Sequence, residues 1–275
     1  MGEMGNQDRD AEQKLSPRVR DYVQQLDRDP RYLLIGKIER FGRDLIAFVE
    51  GCTIISATGE VRGQALLNME YELRGRPDGE RPYEEQSLVD YYLSARGRES
   101  LPLGASDLAP LREESWQYYA RRNFAFLLDE YGQARDDAEH NLAIWDLVEQ
   151  SEATVEAKWT YLRWWPWIER DRAMGHALWS LEQGRAEDAA TELYRAQRSI
   201  EQYGERYGAS YAREAGDGKS LCAQMREHLT SLAEILREEG VPLSMEEQLE
   251  EAAARGDAEE VERLRREMIR RAVGD

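Results

Sequence analysis

The apolar residues of this chain recur mostly with the periodicity of an α-helix. Near the N-terminus their spacing alternates between four and three residues, over Leu34, Ile38, Phe41, Leu45, Phe48, Cys52 and Ile55. Such spacing places the side chains on one face of a helix. The glycines of this stretch favour a break near Gly42 or Gly51. The β-branched run at 53–55 is the one place where a short strand competes with helix.

The same periodicity and the turn residues predict an all-α fold. Further helices are predicted at 17–26, 60–73, 111–131, 135–150, 152–165, 167–183, 186–203 and 217–239. Four glycines between residues 204 and 218 predict an exposed connection. We divide the chain into a disordered tail over 1–15, an N-terminal helical unit over 16–96, a helical repeat unit over 108–240 and a terminal hairpin over 244–273.

The central unit contains one pattern twice: a helix, a glycine at the turn, and a second helix. Gly132 and Gly184 mark the two turns, and Ala125 and Ala177 lie at the same distance before them. Over roughly 120–203 these positions resemble the pattern of small and aromatic residues in the tetratricopeptide repeat (TPR) family. The resemblance implies a TPR-like array of helical hairpins whose concave face binds peptide segments of partner proteins. An ordinary bundle of antiparallel hairpins is the alternative.

The Trp-Trp-Pro-Trp segment that starts at residue 164 supplies candidate partner-binding residues. Consecutive tryptophans cannot all point inward, so at least one should line a groove or the surface. Arginines flank the segment and can either hold an acidic or aromatic peptide or pair with nearby carboxylates. The predicted partner-binding residues are Trp164, Trp165, Trp167, Arg163 and Arg170.

The tail from Met245 to Met268 carries a second resemblance. Ser244 and Glu247 have the spacing of a capping box, and Asp257 after Gly256 can cap a second helix. The stretch resembles the UVR motif of bacterial excision-nuclease subunits B and C and of regulators of the Clp protease system, at Leu249, Ala253, Asp257, Glu260, Val261, Arg263, Leu264, Arg265, Glu267 and Met268.

The second resemblance implies a helical hairpin that docks on a like hairpin of a partner. The implied docking residues are Leu249, Ala253, Val261, Leu264, Arg265 and Met268. A hairpin of this size buries too little surface to be stable alone. It must therefore pack on a partner, on a second copy in a homo-oligomer, or on its own chain as a cap.

Composition narrows the function classes. The net charge of -18 repels phosphate backbones, so we expect no general nucleic-acid binding. No run of 18 apolar residues exists, and the first residues lack a signal sequence, so we expect neither a membrane span nor export. The distant pair Cys52 and Cys222 fits a reduced cytoplasm, and Cys52 is expected to be a buried, inert thiol.

Motifs for catalysis are missing from the sequence. It has no phosphate-binding loop, no Gly-x-Ser-x-Gly and no dinucleotide fingerprint. We therefore expect no enzyme, no cofactor and no metal, and interpret the chain as an adaptor that binds a protein. One alternative is a metal-dependent helical-bundle enzyme that uses Asp137, His140, Glu169 and His176. Another, which rests only on the tail, is an accessory protein of nucleotide excision repair.

Overall fold

A computed structural model describes residues 15–26, 32–55, 61–96, 103–215 and 220–273. The predicted disordered tail lies outside these residues except for Leu15, and the thiol of Cys52 also lies outside the described side chains. The described part is mostly α-helical and includes a three-stranded antiparallel sheet. The all-α prediction is therefore confirmed for most of the chain and wrong for its N-terminal unit.

The helices are α1 (Pro17–Leu26), α2 (Leu88–Arg96), α3 (Ala105–Leu127), α4 (Tyr131–Glu149), α5 (Val155–Leu162), α6 (Trp165–Glu182), α7 (Ala186–Ala215), α8 (Leu221–Glu238), α9 (Met245–Ala254) and α10 (Ala258–Val273), with a single 3₁₀ turn at Pro82–Glu84. The main core is shared by α1, α3, α4, α6, α7 and α8. The short helix α1 packs against α3 and α8, and its buried Val19 and Val23 belong to this core.

The strands β1 (Tyr32–Arg40), β2 (Arg43–Ile55) and β3 (Val61–Glu72) form an antiparallel meander in the order β1-β2-β3. Phe41 and Gly42 connect β1 to β2, with φ of 54° and 71°. Two positive φ angles give the tight turn whose twist matches that of a hairpin. Phe48 in the central strand lies opposite Ile35 on one side and Met69 on the other.

The helices predicted over residues 34–55 and 60–73 are therefore wrong. Each glycine in the interior of a helix costs about 1 kcal/mol, whereas the β-branched residues of this region favour strands. Strand side chains alternate between two faces. Ile46 and Phe48 thus pack together on the helical body, while Phe41 of the supposed apolar stripe is 91% exposed at the turn.

The sheet is attached to α3 by rings and by one arginine. The ring of Phe48 lies 4.5 Å from that of Phe124, centroid to centroid. The Arg121 Nη1 atom donates hydrogen bonds to the carbonyl oxygens of Glu72 and Gly75, both at 2.8 Å. These carbonyls end β3 and begin the loop after it, so α3 fixes the base of the sheet.

The α3–α4 and α6–α7 hairpins turn in the same way. The φ angle is 59° at Asp129 and 72° at Gly184. In the first hairpin the Glu130 N–H donates to the Ala125 carbonyl at 2.8 Å, and in the second the Arg185 N–H donates to the Ser180 carbonyl at 2.8 Å. This bond to the carbonyl five residues earlier is typical of a Schellman motif at the end of a helix. When the hairpins are aligned on the turn residues Asp129 and Gly184, Ala125 corresponds to Ser180. Gly132 lies inside α4 and not at the turn. The predicted correspondence of the alanines is therefore wrong, although the duplicated hairpins themselves are observed.

The two hairpins pack through α4 and α6, whose backbones come close together at Gly175. A Cβ atom at this glycine would lie 2.8 Å from the backbone nitrogen of Arg135 and 3.0 Å from the carbonyl oxygen of Tyr131. A glycine is therefore needed for the helices to touch through their backbones. The likeness of the stacked hairpins to a tetratricopeptide array stays a prediction.

The helix α7 is longer than the sequence predicted. It continues to Ala215, through Gly204 and Gly208, the first two of the four glycines that predicted a connection after residue 203. Gly216 and Gly218 lie outside the described residues. A Cβ atom at Gly204 would lie 3.2 Å from the Cβ atom of Cys222 on α8. This glycine serves the close packing of two helices rather than a turn, so the predicted connection is wrong over the described residues.

Candidate polypeptide-binding groove

The predicted tryptophan site divides between an exposed patch and the interior of the protein. Trp164 is 44% exposed, and its ring lies 6.2 Å from that of Trp167 in an edge-to-face arrangement. The Arg163 guanidinium carbon lies 4.9 Å from the centre of the Trp164 ring. The expectation that at least one of these indoles reaches the surface is confirmed. Trp164 and Trp167, with Arg163, form a small aromatic patch where α5 meets α6.

Trp165 and Arg170 are not part of the exposed patch, although the Arg170 guanidinium carbon lies 5.1 Å from the centre of the Trp167 ring on its buried side. The Trp165 ring stacks on Tyr203 of α7 at 4.4 Å, inside the seam between α6 and α7. Arg170 is fully buried, and its Nε donates to Asp171 Oδ1 at 2.8 Å. The same carboxylate lies 2.7 Å from the guanidinium of Arg122. Arg170 is therefore a core residue that pairs with a carboxylate, and its prediction as a direct partner contact is wrong.

A groove runs between α5 and α7, beside the end of α4. Its volume is about 490 Å³, and it is lined by Glu149, Val155, Glu156, Lys158, Trp159, Leu162, Tyr207 and Ser210. The floor is apolar, and Val155 at its edge is 78% exposed. A volume of this size lies within the usual range of ligand sites, about 300–1,000 Å³. The groove thus offers a hydrophobic floor within a polar rim.

Three tyrosines on α7 lie on the side of the helix that faces α5, and one of them, Tyr207, lines the groove. Tyr203, Tyr207 and Tyr211 follow one another at four-residue spacing, which puts them on one face of the helix. The hydroxyls of Tyr203 and Tyr211 donate to the carbonyl oxygens of Leu162 and Arg163, both at 2.8 Å. Carbonyls at the end of a helix lack partners within the helix. These tyrosines therefore fix the end of α5 against α7.

The remaining tyrosine connects the groove to α4. The Tyr207 hydroxyl donates to Glu149 Oε1 at 2.8 Å, and its ring lies 5.9 Å from that of Trp159. Burial raises the pKa of Tyr207 above its ordinary value, and the hydrogen bond to the Glu149 carboxylate raises it further. Trp159 also meets Tyr211 edge-to-face at 5.0 Å. The aromatic cluster of Trp159, Tyr207 and Tyr211 is thus held by contacts among α4, α5 and α7.

The sequence contained a signal for this groove that our predictions did not use. The four-residue spacing of the α7 tyrosines, and Trp159 five residues before the Trp-Trp-Pro-Trp segment, are both visible in the chain. Predictions concentrated on consecutive tryptophans because these cannot all be buried. The pairing of α5 with α7 depends on tertiary structure, so the sequence alone does not reveal which aromatic residues share a surface.

The first two residues of the alternative metal site have other partners. Arg121 binds the Asp137 carboxylate at both oxygens, with the shorter distance 2.6 Å from Nη2 to Oδ1. The His140 ring stacks on Tyr118 at 3.6 Å, and its Nε2 lies 2.9 Å from the buried carboxylate of Glu114. Each group is therefore held in a local pair between α3 and α4.

The other two residues of that alternative lie on α6. Arg172 holds the Glu169 carboxylate through two hydrogen bonds of 2.8 Å, and His176 packs against the edge of Trp179. Over the residues that the structure describes, no group of three or more His, Cys, Asp or Glu side chains is placed to hold a metal ion. The alternative hypothesis therefore lacks a ligand set within them.

The terminal hairpin, α9 and α10, has the predicted caps. The Ser244 hydroxyl accepts from the Glu247 N–H at 3.1 Å, and the Glu247 carboxylate accepts from the Ser244 N–H at 3.1 Å. The N–H of Glu260 donates to Asp257 Oδ1 at 3.0 Å. Of the predicted docking residues, Leu264 is buried, and Ala253 and Arg265 are exposed. The other three, Leu249, Val261 and Met268, are half-buried.

The hairpin also contacts its own chain. Glu246 of α9 pairs with Arg195 of α7 at 2.6 Å, and Arg271 of α10 pairs with Glu187 of α7 at 2.5 Å. The helices α9 and α10 pack against each other, and each buries one apolar residue, Ala252 and Leu264. Part of the predicted capping role is therefore observed, while docking of the hairpin on a partner stays a prediction.

No helix among the described residues combines the length and the apolar character needed to cross a membrane. Comparison of the chain with protein-family models, with curated proteins and with solved structures gave no match.

Proposed function

We propose that this chain is a non-enzymatic adaptor that binds a segment of a partner polypeptide in the groove between α5 and α7. The groove itself is the observation that supports this proposal. It has an apolar floor of Trp159, Leu162 and Tyr207, and an exposed valine at its edge. Aromatic residues at well-packed positions supply much of the binding energy at protein interfaces.

The terminal hairpin then mediates assembly. Its exposed α10 face carries Ile269 and Val273 next to the half-buried Met268, so apolar surface is available beyond the contact with α9. We propose that the partner is a protein rather than a nucleic acid or a membrane, because the net charge of -18 opposes binding to phosphate backbones. The cytoplasm is the proposed location, since Cys222 is a buried free thiol.

Peptide display on the full-length chain tests the groove. Peptides selected on the wild type are measured against Val155→Arg, which places a bulky charge at the groove, and against Val273→Arg as a matched control. The two valines are 78% and 80% exposed, so neither substitution disturbs a core. We expect roughly tenfold weaker binding for Val155→Arg alone. Peptides that bind both variants equally well, and as tightly as the wild type, would contradict the proposal.

The assembly role is tested separately by light scattering after size exclusion. Glutamate in place of Arg265 and Met268 on α10 should lower the mass of any complex with a second copy or a partner. Because Arg265 is exposed and Met268 only half-buried, circular dichroism should show an intact fold. A complex of unchanged mass and stability would remove α10 from the assembly surface.

A further inference from the structure

The partner that fits the groove can be narrowed by the charges at its rim, an inference that rests on the proposed function. Among the described side chains, Arg206 and Lys158 are cations near the groove, and both are engaged within the chain. Arg206 pairs with the Glu149 carboxylate at 2.8 Å, and the Lys158 Nζ atom donates to the Glu149 carbonyl oxygen at 2.9 Å. Both are therefore drawn to the end of α4, where they offset the negative end of its helix dipole.

The carboxylates near the groove are less well compensated. Glu156 lines the groove, and Glu152 lies in the loop between α4 and α5, and both are exposed. Neither carboxylate has an ion-pair partner among the side chains that the structure describes. Asp146, one turn before Glu149, is also exposed, and its pKa is raised by burial of part of its surface and by the Glu149 carboxylate. Negative charge therefore accumulates along this side of the groove.

Helix geometry does not cancel this charge. The positive end of α5 points at the same region, but Glu156 lies in the first turn of α5 and more than offsets a partial charge of about half a unit. The net charge of the whole chain, -18, adds a negative field over the same surface. A cationic segment approaching this groove is attracted both locally and over a distance.

We propose that the occupant of the groove is a cationic polypeptide segment with an apolar anchor. At least one large apolar side chain of the partner packs on Trp159 and Leu162, and flanking lysine or arginine side chains pair with Glu156 and Glu152. The apolar contact supplies affinity, whereas the charges select among partners and raise the association rate. This differs from the acidic or aromatic segment that the arginines around residue 164 predicted, because Arg170 is buried.

The test uses peptides selected on the full-length chain and two matched charge variants. Glu156→Lys changes the rim of the groove, and Glu259→Lys is the control, because both glutamates are exposed and lie in the first turn of a helix. Binding is measured by titration calorimetry at low and at physiological salt. Each selected peptide is compared with a version in which its lysines and arginines are replaced by glutamates.

We expect the selected peptides to be rich in lysine and arginine around a leucine, isoleucine or phenylalanine. Glu156→Lys should weaken their binding about 2- to 5-fold or more, and Glu259→Lys should not. Charge-reversed peptides should bind at least roughly tenfold more weakly, with a difference that decreases as salt rises. Equal effects of the two substitutions would overturn the inference.

The possible failures are distinguishable. Neutral or acidic peptides that nevertheless lose affinity for Val155→Arg would overturn the cationic partner and leave the groove as the binding site. Peptides whose affinity is unchanged by Val155→Arg would overturn the groove as the binding site. Light scattering without peptide tests for a second copy in the groove. If the wild type has a larger mass than Val155→Arg at equal concentration, a second copy is the occupant and the inference is overturned.

Discussion

The close backbone contact between the two helical hairpins gives a sharp test of the fold. At Gly175 of α6, an added Cβ atom would lie 2.8 Å from the nitrogen of Arg135 and 3.1 Å from its Cα atom, both in the backbone of α4. Backbone atoms inside a helix cannot rotate away, so Gly175→Ala forces α4 and α6 apart. Gly208 of α7 is the matched control, since nothing lies within 4 Å of the position of its Cβ atom.

The two substitutions should have opposite signs. Alanine in place of glycine in a helix interior contributes about 0.5–1 kcal/mol of stability, and Gly208→Ala should show that gain. Overpacking in a closed core costs about 1–3 kcal/mol, which exceeds the gain at Gly175. We therefore expect Gly175→Ala to lower the free energy of unfolding by about 1–2 kcal/mol.

Urea unfolding followed by far-ultraviolet circular dichroism measures both effects. The midpoint should fall for Gly175→Ala and rise for Gly208→Ala, with similar slopes in denaturant. If both variants are stabilised, α4 and α6 do not meet through their backbones. The stacking of the hairpins described above would then be refuted.

Three further outcomes are expected. Burial raises the pKa of the Cys222 thiol to about 11, so in a Cys52→Ser background it should react with a thiol reagent at pH 8 far more slowly than in the unfolded chain. Burial lowers the pKa of His228 below 6.5, so the unfolded state binds the proton first, and stability should fall as pH drops from about 7 through 6.5; His228→Gln should lose less over this interval. The pair of Arg271 and Glu187 is exposed and therefore screened by salt, so hydrogen exchange in α10 should accelerate in about 1 M salt, while exchange in α6 should not.

The sequence predicts the helical part of this fold well because its periodicity is long and regular. The caps of the terminal hairpin at Ser244 and Asp257 depend on neighbouring residues only, and both are confirmed. Local signals of this kind need no knowledge of the rest of the chain.

The sheet was missed because a spacing of four and three residues has two explanations. Leu45 and Phe48 fit a helical stripe in the sequence, yet they point to opposite faces of β2. What decides between the two is the contact of Phe48 with Phe124 on α3, which is distant in sequence. The propensity of Thr53 and its neighbours for strands was the correct local signal, and its weight was underestimated.

The sequence predicted which types of residue form the candidate site, but not which individual residues. Tryptophan and arginine side chains were expected together at a surface, and Arg163 does lie over the ring of the exposed Trp164. The groove instead uses Trp159 and Tyr207, which lie on different helices. Arg170 was predicted to contact a partner because nothing in the sequence indicates that Asp171, the carboxylate it pairs with, is buried in the core.

The central claim, that a partner segment lies between α5 and α7, is tested most directly by photo-cross-linking. A benzophenone amino acid is placed at position 155 or, as a control, at position 273, and each full-length protein is irradiated with a display-selected peptide. The account predicts a cross-link from position 155 that is lost with excess unlabelled peptide, and none from position 273. Equal cross-linking at both positions, or cross-linking at position 273 alone, would contradict it.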